Sequence, residues 1–386
     1  MLIKPVYLSS QSKVTFYQSK YNVDQYVILH GKFLFELSGC TTEQINLLFS
    51  IGKSERNVLA VHENRELNQV LLQFSEINRS LRKIRGFVSR DQELVNFFNR
   101  VETYFYHSKQ TVWKLKNSRL DFSQSPFIMG ILNVTPDSFS DGGKFESSNK
   151  AIDHALFMVE AGADIIDVGG ESTRPGSDPV KTEDELKRVI PVIEGIKRHT
   201  GIPLSIDTYK SEVAEAALIS GADIVNDISG CTFDARTIDV VKKYNVPVII
   251  MHIKGTPKNM QQNPVYEDVF PEVYNFLEGQ VEMLKENGIE NVAIDPGIGF
   301  GKQLNDNLKL LNNLEGFKFL SKPLLIGVSR KSLIGHILNK NVNERLIGSL
   351  SIALLSAVNG ADILRVHDVA ETKDVFKILE IIRSAV

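Results

Sequence analysis

The chain is poor in cysteine: Cys40 and Cys231 are the only two in 386 residues. That excludes a disulfide-built secreted scaffold, and without a CxxC or a Cys/His cluster there are no candidate ligands for structural zinc. Both cysteines read as free thiols of a reducing compartment, and the expected location is cytoplasmic. No apolar run approaches the roughly 18–20 residues that span a bilayer, since the longest, such as Val246 to Met251, are far shorter. The first residues, MLIKPVYLSSQSKVTFYQSK, lack the apolar segment and small-residue cleavage site of a secretion signal. Excess charge is missing as well. Lys plus Arg is 44 and Asp plus Glu is 47, a formal net charge of −3, which argues against nucleic acid or a membrane surface as a partner. Any anion site must be local. What remains, 42% hydrophobic and 24% charged residues, is the composition of an ordinary folded protein. The length allows two domains, or one large domain with an appendage.

From Phe127 onward, short apolar runs alternate with longer segments of helical period, the pattern of βα units on a parallel sheet. Candidate strands are 127–134, 164–170, 203–208, 223–228, 247–252, 292–297, 323–329 and 362–367. Helical patterns fill the intervals. In TEDELKRVIPVIEGIKRH, Leu186, Val189, Ile190 and Ile193 recur at three- and four-residue spacing, and Thr182 to Glu185 reads as a capping box. Eight units over about 260 residues predict an α/β (β/α)8 TIM barrel, with a doubly wound open sheet as the alternative.

Residues 1–120 read as a small mixed α/β N-terminal domain. Two strands are expected, at Tyr26–Leu29 and Asn57–Val61, followed by a helical stretch from an N-cap at Asn64 to Phe105. Within it Val70, Leu71, Phe74, Ile77, Leu81 and Ile84 form an apolar stripe, expected to pack on its own domain. The polar run Asn117–Ser125 is the expected linker, so the barrel domain is placed at 121–386.

A barrel enzyme carries its reactive groups at the carboxyl ends of its strands. Read in order, those ends offer Asn133, Asp167, Asp207, Asn226 with Asp227, His252, Asp295, Ser329 with Arg330 and Lys331, and Arg365 with His367 and Asp368. A buried carboxylate needs a partner, internal or bound. Asp207 could instead cap the helix that follows it, and Asp167 could pair with Arg365. Paired carboxylates and amides suit a flat heterocycle with N–H and amino groups along one edge. Arg174, Lys331, Arg365 and His367 suit a phosphate or diphosphate. Together they imply a heterocycle bearing an anionic leaving group. Oxygen ligands without soft-metal spacing suit Mg2+, with Asn133 the best candidate ligand. The glycine run GIGFGK meets neither the dinucleotide fingerprint nor the P-loop pattern.

GILNVTPDSFSDGG (130–143), IIDVGGESTRPGS (165–177), SIDTYK (205–210), VNDISG (225–230), MHIKGTPKNMQ (251–261), DPGIGFGK (295–302), GVSRKSLIG (327–335) and RVHDV (365–369) occur in this order. This series resembles dihydropteroate synthase over residues 127–386. The resemblance implies a TIM barrel that joins 6-hydroxymethyl-7,8-dihydropterin diphosphate to p-aminobenzoate with release of pyrophosphate. It implies a pterin site of Asp167, Asp207, Asn226, Met251, Asp295, Phe300 and Lys331. The p-aminobenzoate and diphosphate site would be Phe139, Thr173, Arg174, Ser329, Arg365 and His367, with Asn133 holding Mg2+. Asp167, Asp207, Lys331, Arg365 and His367 are the expected catalytic set, and a homodimer is the expected assembly. Lys254 and Ile298 stand where many family members carry Arg and Phe. The first 120 residues match neither the family nor the pyrophosphokinase that precedes it in some bifunctional chains. A non-catalytic pterin-binding paralogue, with that segment as an interaction module, is the alternative; loss of residues from the first two loops would favour it, and none is lost. A corrinoid-type methyltransferase would not need the intact NVTPDSFSDGG loop together with Arg174, Arg365 and His367.

Overall fold

The computed structural model describes residues 2–6, 17–22, 33–54, 59–64, 66–74, 84, 86–106, 112–124, 126–135 and 144–385. The chain divides into two compact units: Met1–Lys109 with Glu315–Ser321, and Gln110–Leu314 with Lys322–Val386. No described helix is long and apolar enough to cross a membrane.

In the first unit β1 (Leu2–Val6), β2 (Phe33–Ser38), β3 (Leu59–Asn64) and β4 (Gln69–Phe74) form an antiparallel sheet in the order β1-β2-β4-β3. Helices α1 (Thr42–Ser54) and α2 (Gln92–Tyr106) belong to the same unit. Thr41 and Gln44 bond each other's backbone N–H reciprocally at the start of α1, a capping box that satisfies two otherwise orphaned donors. Val70, Leu71 and Phe74, expected on a helix, lie on β4 instead. Asn64 is the last residue of β3, and its side chain accepts from Leu67 N at 3.2 Å, so it shapes the β3–β4 turn rather than a helix start. Both faces of β4 are covered. Phe35, Phe74, Phe97 and Phe98 pack edge to face on one side, and Leu71 joins Val6, Tyr17, Tyr21 and Leu34 on the other. The strand predicted at 26–29, and Ile77 and Leu81, lie outside the described residues.

The second unit opens with a hairpin, β5 (Val112–Lys114) and β6 (Arg119–Asp121), and a short 3-10 turn at Phe122–Gln124. The predicted linker is therefore folded structure. Trp113, Leu120 and Phe122 are buried against Met129, Ile165, Ile224, Ile249, Ala293, Leu325 and Ile363, one residue from nearly every barrel strand. The hairpin closes the amino-terminal end of the barrel as an apolar plug.

Above that plug run β7 (Phe127–Asn133), β8 (Ile165–Gly169), β9 (Leu204–Asp207), β10 (Ile224–Asp227), β11 (Val248–Met251), β12 (Val292–Asp295), β13 (Leu325–Ile326) and β14 (Ile363–Val366). They form one parallel sheet, β12-β11-β10-β9-β8-β7-β14-β13. A further parallel bridge between Ile294 and Leu324 joins its two edges, so the sheet closes and the open doubly wound arrangement does not apply. β13 is only two residues long where a longer strand is predicted, and the chain turns into the site loop at Ser329–Arg330, with Arg330 at φ +57°.

The intervening helices are α3 (Lys144–Glu160), α4 (Thr182–His199), α5 (Ser211–Ile219), α6 (Arg236–Tyr244), α7 (Val269–Glu286), α8 (Leu304–Leu311), α9 (Leu314–Phe317), α10 (Ser332–Leu338), α11 (Leu346–Val358) and α12 (Val369–Ser384), of which α9, from Glu315 on, belongs to the first unit. The expected capping box of α4 does not form: Lys181 is the cap, with no side-chain bond. Glu185 instead pairs with Lys210 at 2.5 Å. α7 starts on Asp268, whose carboxylate accepts from Phe270 N.

Candidate active site

Parallel register brings the polar strand ends to one level. Asn133 aligns with Gly169, Gly169 with Asp207, Asp207 with Asn226, and Met251 with Asp295. Gly169 leaves a space open at this level. A Cβ there would stand 3.6 Å from both Asn133 Oδ1 and Asp207 Oδ2, filling the space between the two oxygens.

Arg365, from β14, reaches across to the opposite strands. Its Nε donates to Asp167 Oδ2 at 2.6 Å and a terminal nitrogen donates to Asp207 Oδ2 at 2.7 Å. Asn226 Nδ2 adds a bond to the same Asp167 oxygen at 3.1 Å. Asp207 thus pairs with Arg365, while Lys210 occupies the cap position of α5. Two carboxylates on one guanidinium leave the cluster with an excess of negative charge. Burial raises the Asp207 carboxyl, against the pull of Arg365 and with a push from Asp167. Burial works against the Arg365 charge too, but the two carboxylates outweigh it and hold its pKa above the usual value.

Asp295 closes the ring of acids. Burial raises its carboxyl, opposed by Lys331 and by a bond accepted from Gly297 N at 2.7 Å. Lys331 stands over the Phe300 ring at 4.6 Å and donates to the Ile298 carbonyl. Its burial lowers the ammonium pKa to about 8. The loop between Asp295 and Lys302 adopts its path because Gly297 has φ +68° and a Cβ there would lie 2.0 Å from the His252 carbonyl oxygen.

Lys302 holds that loop down, a role the sequence reading missed. Its Nζ, on a residue only 2% exposed, bonds His252 Nδ1 at 3.0 Å, the His252 carbonyl at 3.2 Å and the Phe300 carbonyl at 2.9 Å. Burial and the adjacent ammonium lower His252 to about 2, so it is a neutral acceptor that ties strand to loop. In a sequence a lysine normally signals a solvated surface. The only signal for Lys302 there is its place beside GIGFG.

Ser329 Oγ accepts from His367 N at 3.2 Å and lies 3.1 Å from His367 Nδ1. Burial and Arg365 lower His367 to about 4, so the imidazole is neutral near pH 7. Arg330 turns away to pair with Asp368, which removes both from the substrate set and fixes the SRK loop. Asp227 likewise serves its own turn, accepting from Ser229 N and Oγ. Thr173 and an exposed Arg174 stand on the loop after β8. Phe139 lies outside the described residues. The structure therefore gathers Asn133, Asp167, Asp207, Asn226, Met251, Asp295, Phe300, Ser329, Lys331, Arg365 and His367 along one end of the barrel. Among the described residues no three His, Cys, Asp or Glu side chains group as metal ligands.

Residues 129–367 match the family model described as pterin binding enzyme. The dihydropteroate synthase of Escherichia coli (strain K12) is 47% identical over 272 residues, 70% of this chain and 96% of that protein. That of Synechocystis is 45% identical over 67% of this chain and 91% of its own length. Among solved structures, the Yersinia pestis dihydropteroate synthase with a sulfonamide drug superposes with a TM-score of 0.67 at 42% identity, covering 71% of this chain and all of that one. The Xanthomonas albilineans dihydropteroate synthase in complex with 7,8-dihydropteroate gives 0.63 at 39% identity, covering 69% and 97%. The residues before Met129 lie outside the family model. A closed eight-stranded parallel barrel with the family's motifs in order, matched over nearly the whole length of these enzymes, places the chain in the dihydropteroate synthase family of transferases.

Proposed function

We propose that this barrel end condenses 6-hydroxymethyl-7,8-dihydropterin diphosphate with p-aminobenzoate, giving 7,8-dihydropteroate and pyrophosphate. The observation that carries the reading is the convergence of Asp207, Asn226 and Asp295, with Asp167 one layer below them, on Arg365 and Lys331 at one end of a closed barrel. Asp295 accepts from the amino and N–H edge of the pterin, while Asn226, Met251, Phe300 and Lys331 line its remaining edges and face. Asp167 Oδ1 is buried without a protein partner, so an acceptor is left for a ligand donor.

In the reaction the aniline nitrogen forms a C–N bond to the pterin methylene as the C–O bond to diphosphate breaks, and the nitrogen then loses its proton. Positive charge develops on the pterin as pyrophosphate departs. Asp167 and Asp207, fixed by Arg365, stabilise that charge without reorganising. Arg365, His367 and Ser329 hold the diphosphate, with His367 as a neutral donor. Thr173, Arg174 and Phe139 take p-aminobenzoate. An aniline is already nucleophilic, so no strong base is needed, and none of the buried groups is arranged as one.

Mg2+ fits the mouth. The Asn133 amide oxygen beside Asp207, with the volume left open by Gly169, offers the one or two protein oxygens this ion takes when phosphate supplies the rest. When bound it would neutralise charge on the leaving diphosphate. The assembly is a homodimer through α11 and α12. Ile347, Leu355 and Val358 on one and Ile378, Ile381 and Ile382 on the other are 48–70% exposed, apolar side chains that a second subunit would cover.

The test is product identity. Full-length protein given both substrates and Mg2+ should yield 7,8-dihydropteroate by mass spectrometry, and binding of both without product would refute the catalytic reading.

A further inference from the structure

Near the strand ends lies a buried charge cluster that makes no hydrogen bond or ion pair with the groups assigned to substrates, although Glu185 adds to the push that raises Asp207. Lys210 Nζ lies 2.5 Å from Glu171 Oε2 and 2.5 Å from Glu185 Oε2. The three side chains are 15%, 6% and 1% exposed. Lys210 also donates to the Val180 carbonyl at 2.7 Å. Glu171 in turn accepts from Val180 N at 3.1 Å and from Tyr209 OH at 2.7 Å.

These bonds share one topological consequence. Glu171 immediately precedes the segment Ser172–Pro179, and Val180 immediately follows it. One ammonium holds both the carboxylate of the residue entering the loop and the carbonyl of the residue leaving it, and that carboxylate also accepts from the leaving residue's N–H, so the loop has a closed neck. Outside the neck its ties are mostly within the loop itself or solvent-exposed. Ser177 Oγ bonds two carbonyls of the same loop, Gly176 N bonds Pro257 O at 2.9 Å, and Asp178 meets Lys258 in an exposed ion pair, a kind that contributes little. Buried charge clusters are poor stabilisers compared with apolar packing. This one fixes where a loop begins and ends.

We infer that Lys210 is a positioning residue for the second substrate: by closing the neck at Glu171 and Val180 it sets where Thr173 and Arg174 stand. The inference rests on the reading of that loop as the p-aminobenzoate side of the site. It assigns Lys210, Glu171 and Glu185 no contact with substrate.

The test uses the full-length protein and compares Lys210→Met, Lys210→Arg, Glu171→Gln and Arg174→Ala. Lys210→Met should raise KM for p-aminobenzoate about tenfold or more while kcat falls less, with pterin diphosphate affinity changed by less than about threefold. Lys210→Arg, which keeps charge and donors, should restore most of the loss. Hydrogen exchange at the Val180 amide should accelerate in Lys210→Met and, to a smaller degree, in Glu171→Gln. The isosteric Glu171→Gln carries the test if Lys210→Met does not fold. Unchanged exchange at Val180, or equal damage to both substrates, would overturn the inference. An Arg174→Ala variant with unchanged KM for p-aminobenzoate would refute the reading of the loop instead, and exchange at Val180 would still decide whether the neck exists.

Discussion

Asp295 and Lys331 show how single buried groups set the chemistry of the mouth. Burial raises the one and lowers the other, so each keeps its charge through its neighbours. Asp295→Ala should weaken pterin binding by about 3 kcal/mol, because a charge-assisted contact is lost and ligand donors are left buried and unpaired. Calorimetry on the pterin diphosphate checks this, and unchanged affinity would remove Asp295 from the site. Lys331 gives a signed pH dependence. Its folded pKa of about 8 means that raising pH through that value removes the cation from the free enzyme. We expect kcat/KM for the pterin to fall along an alkaline limb near pH 8, and Lys331→Arg to remove the part of that limb that belongs to Lys331, leaving that of Lys302, which burial lowers to about 7. The stability effect runs the other way. Between the folded value and the unfolded 10.5 the unfolded chain binds more protons, so this lysine makes the apo fold gain stability as pH rises through that window. The residue-level reading was legible where an apolar run ends in an acid or amide, as at Asp167, Asp207, Asn226 and Asp295. It failed for Lys302, Lys210 and Glu185, charged residues whose burial depends on partners distant in sequence.

At the scale of elements, the parallel strands were legible because each is buried on both sides and bounded by turn residues. The same property hid β4. QVLLQF is covered on both faces, so its apolar positions do not alternate, and they fell by chance on a helical stripe with Ile77, Leu81 and Ile84. The hairpin of β5 and β6 was hidden for the opposite reason: in RLD only Leu120 points inward, and the run reads as polar. That hairpin yields a prediction. Trp113→Ala should cost about 3–5 kcal/mol by opening a cavity under the barrel, while KM values for both substrates stay near wild type in the folded fraction. Thermal denaturation followed by circular dichroism measures the first part, and an unchanged Tm would show that the plug is dispensable. Trp113 is the sole tryptophan, so in the unmutated protein its fluorescence reports directly on the barrel base.

For the molecule as a whole, the barrel joins an apolar plug at one end to a charged mouth at the other, and chemistry is confined to the mouth. The antiparallel sheet of the first unit has aromatic packing on one face and its own apolar cluster on the other. The exposed isoleucines and leucine of α11 and α12 belong to this scale too. Sedimentation should find a dimer, and Ile347→Glu with Ile381→Glu should give a folded monomer; a wild-type monomer would contradict the assembly proposed. The account as a whole stands most directly on pyrophosphate release by the full-length protein, measured with pterin diphosphate, p-aminobenzoate and Mg2+, each left out in turn. Release that requires both organic substrates and is strongest with Mg2+ is the predicted result. Binding of the pterin with no release in the complete mixture would contradict it.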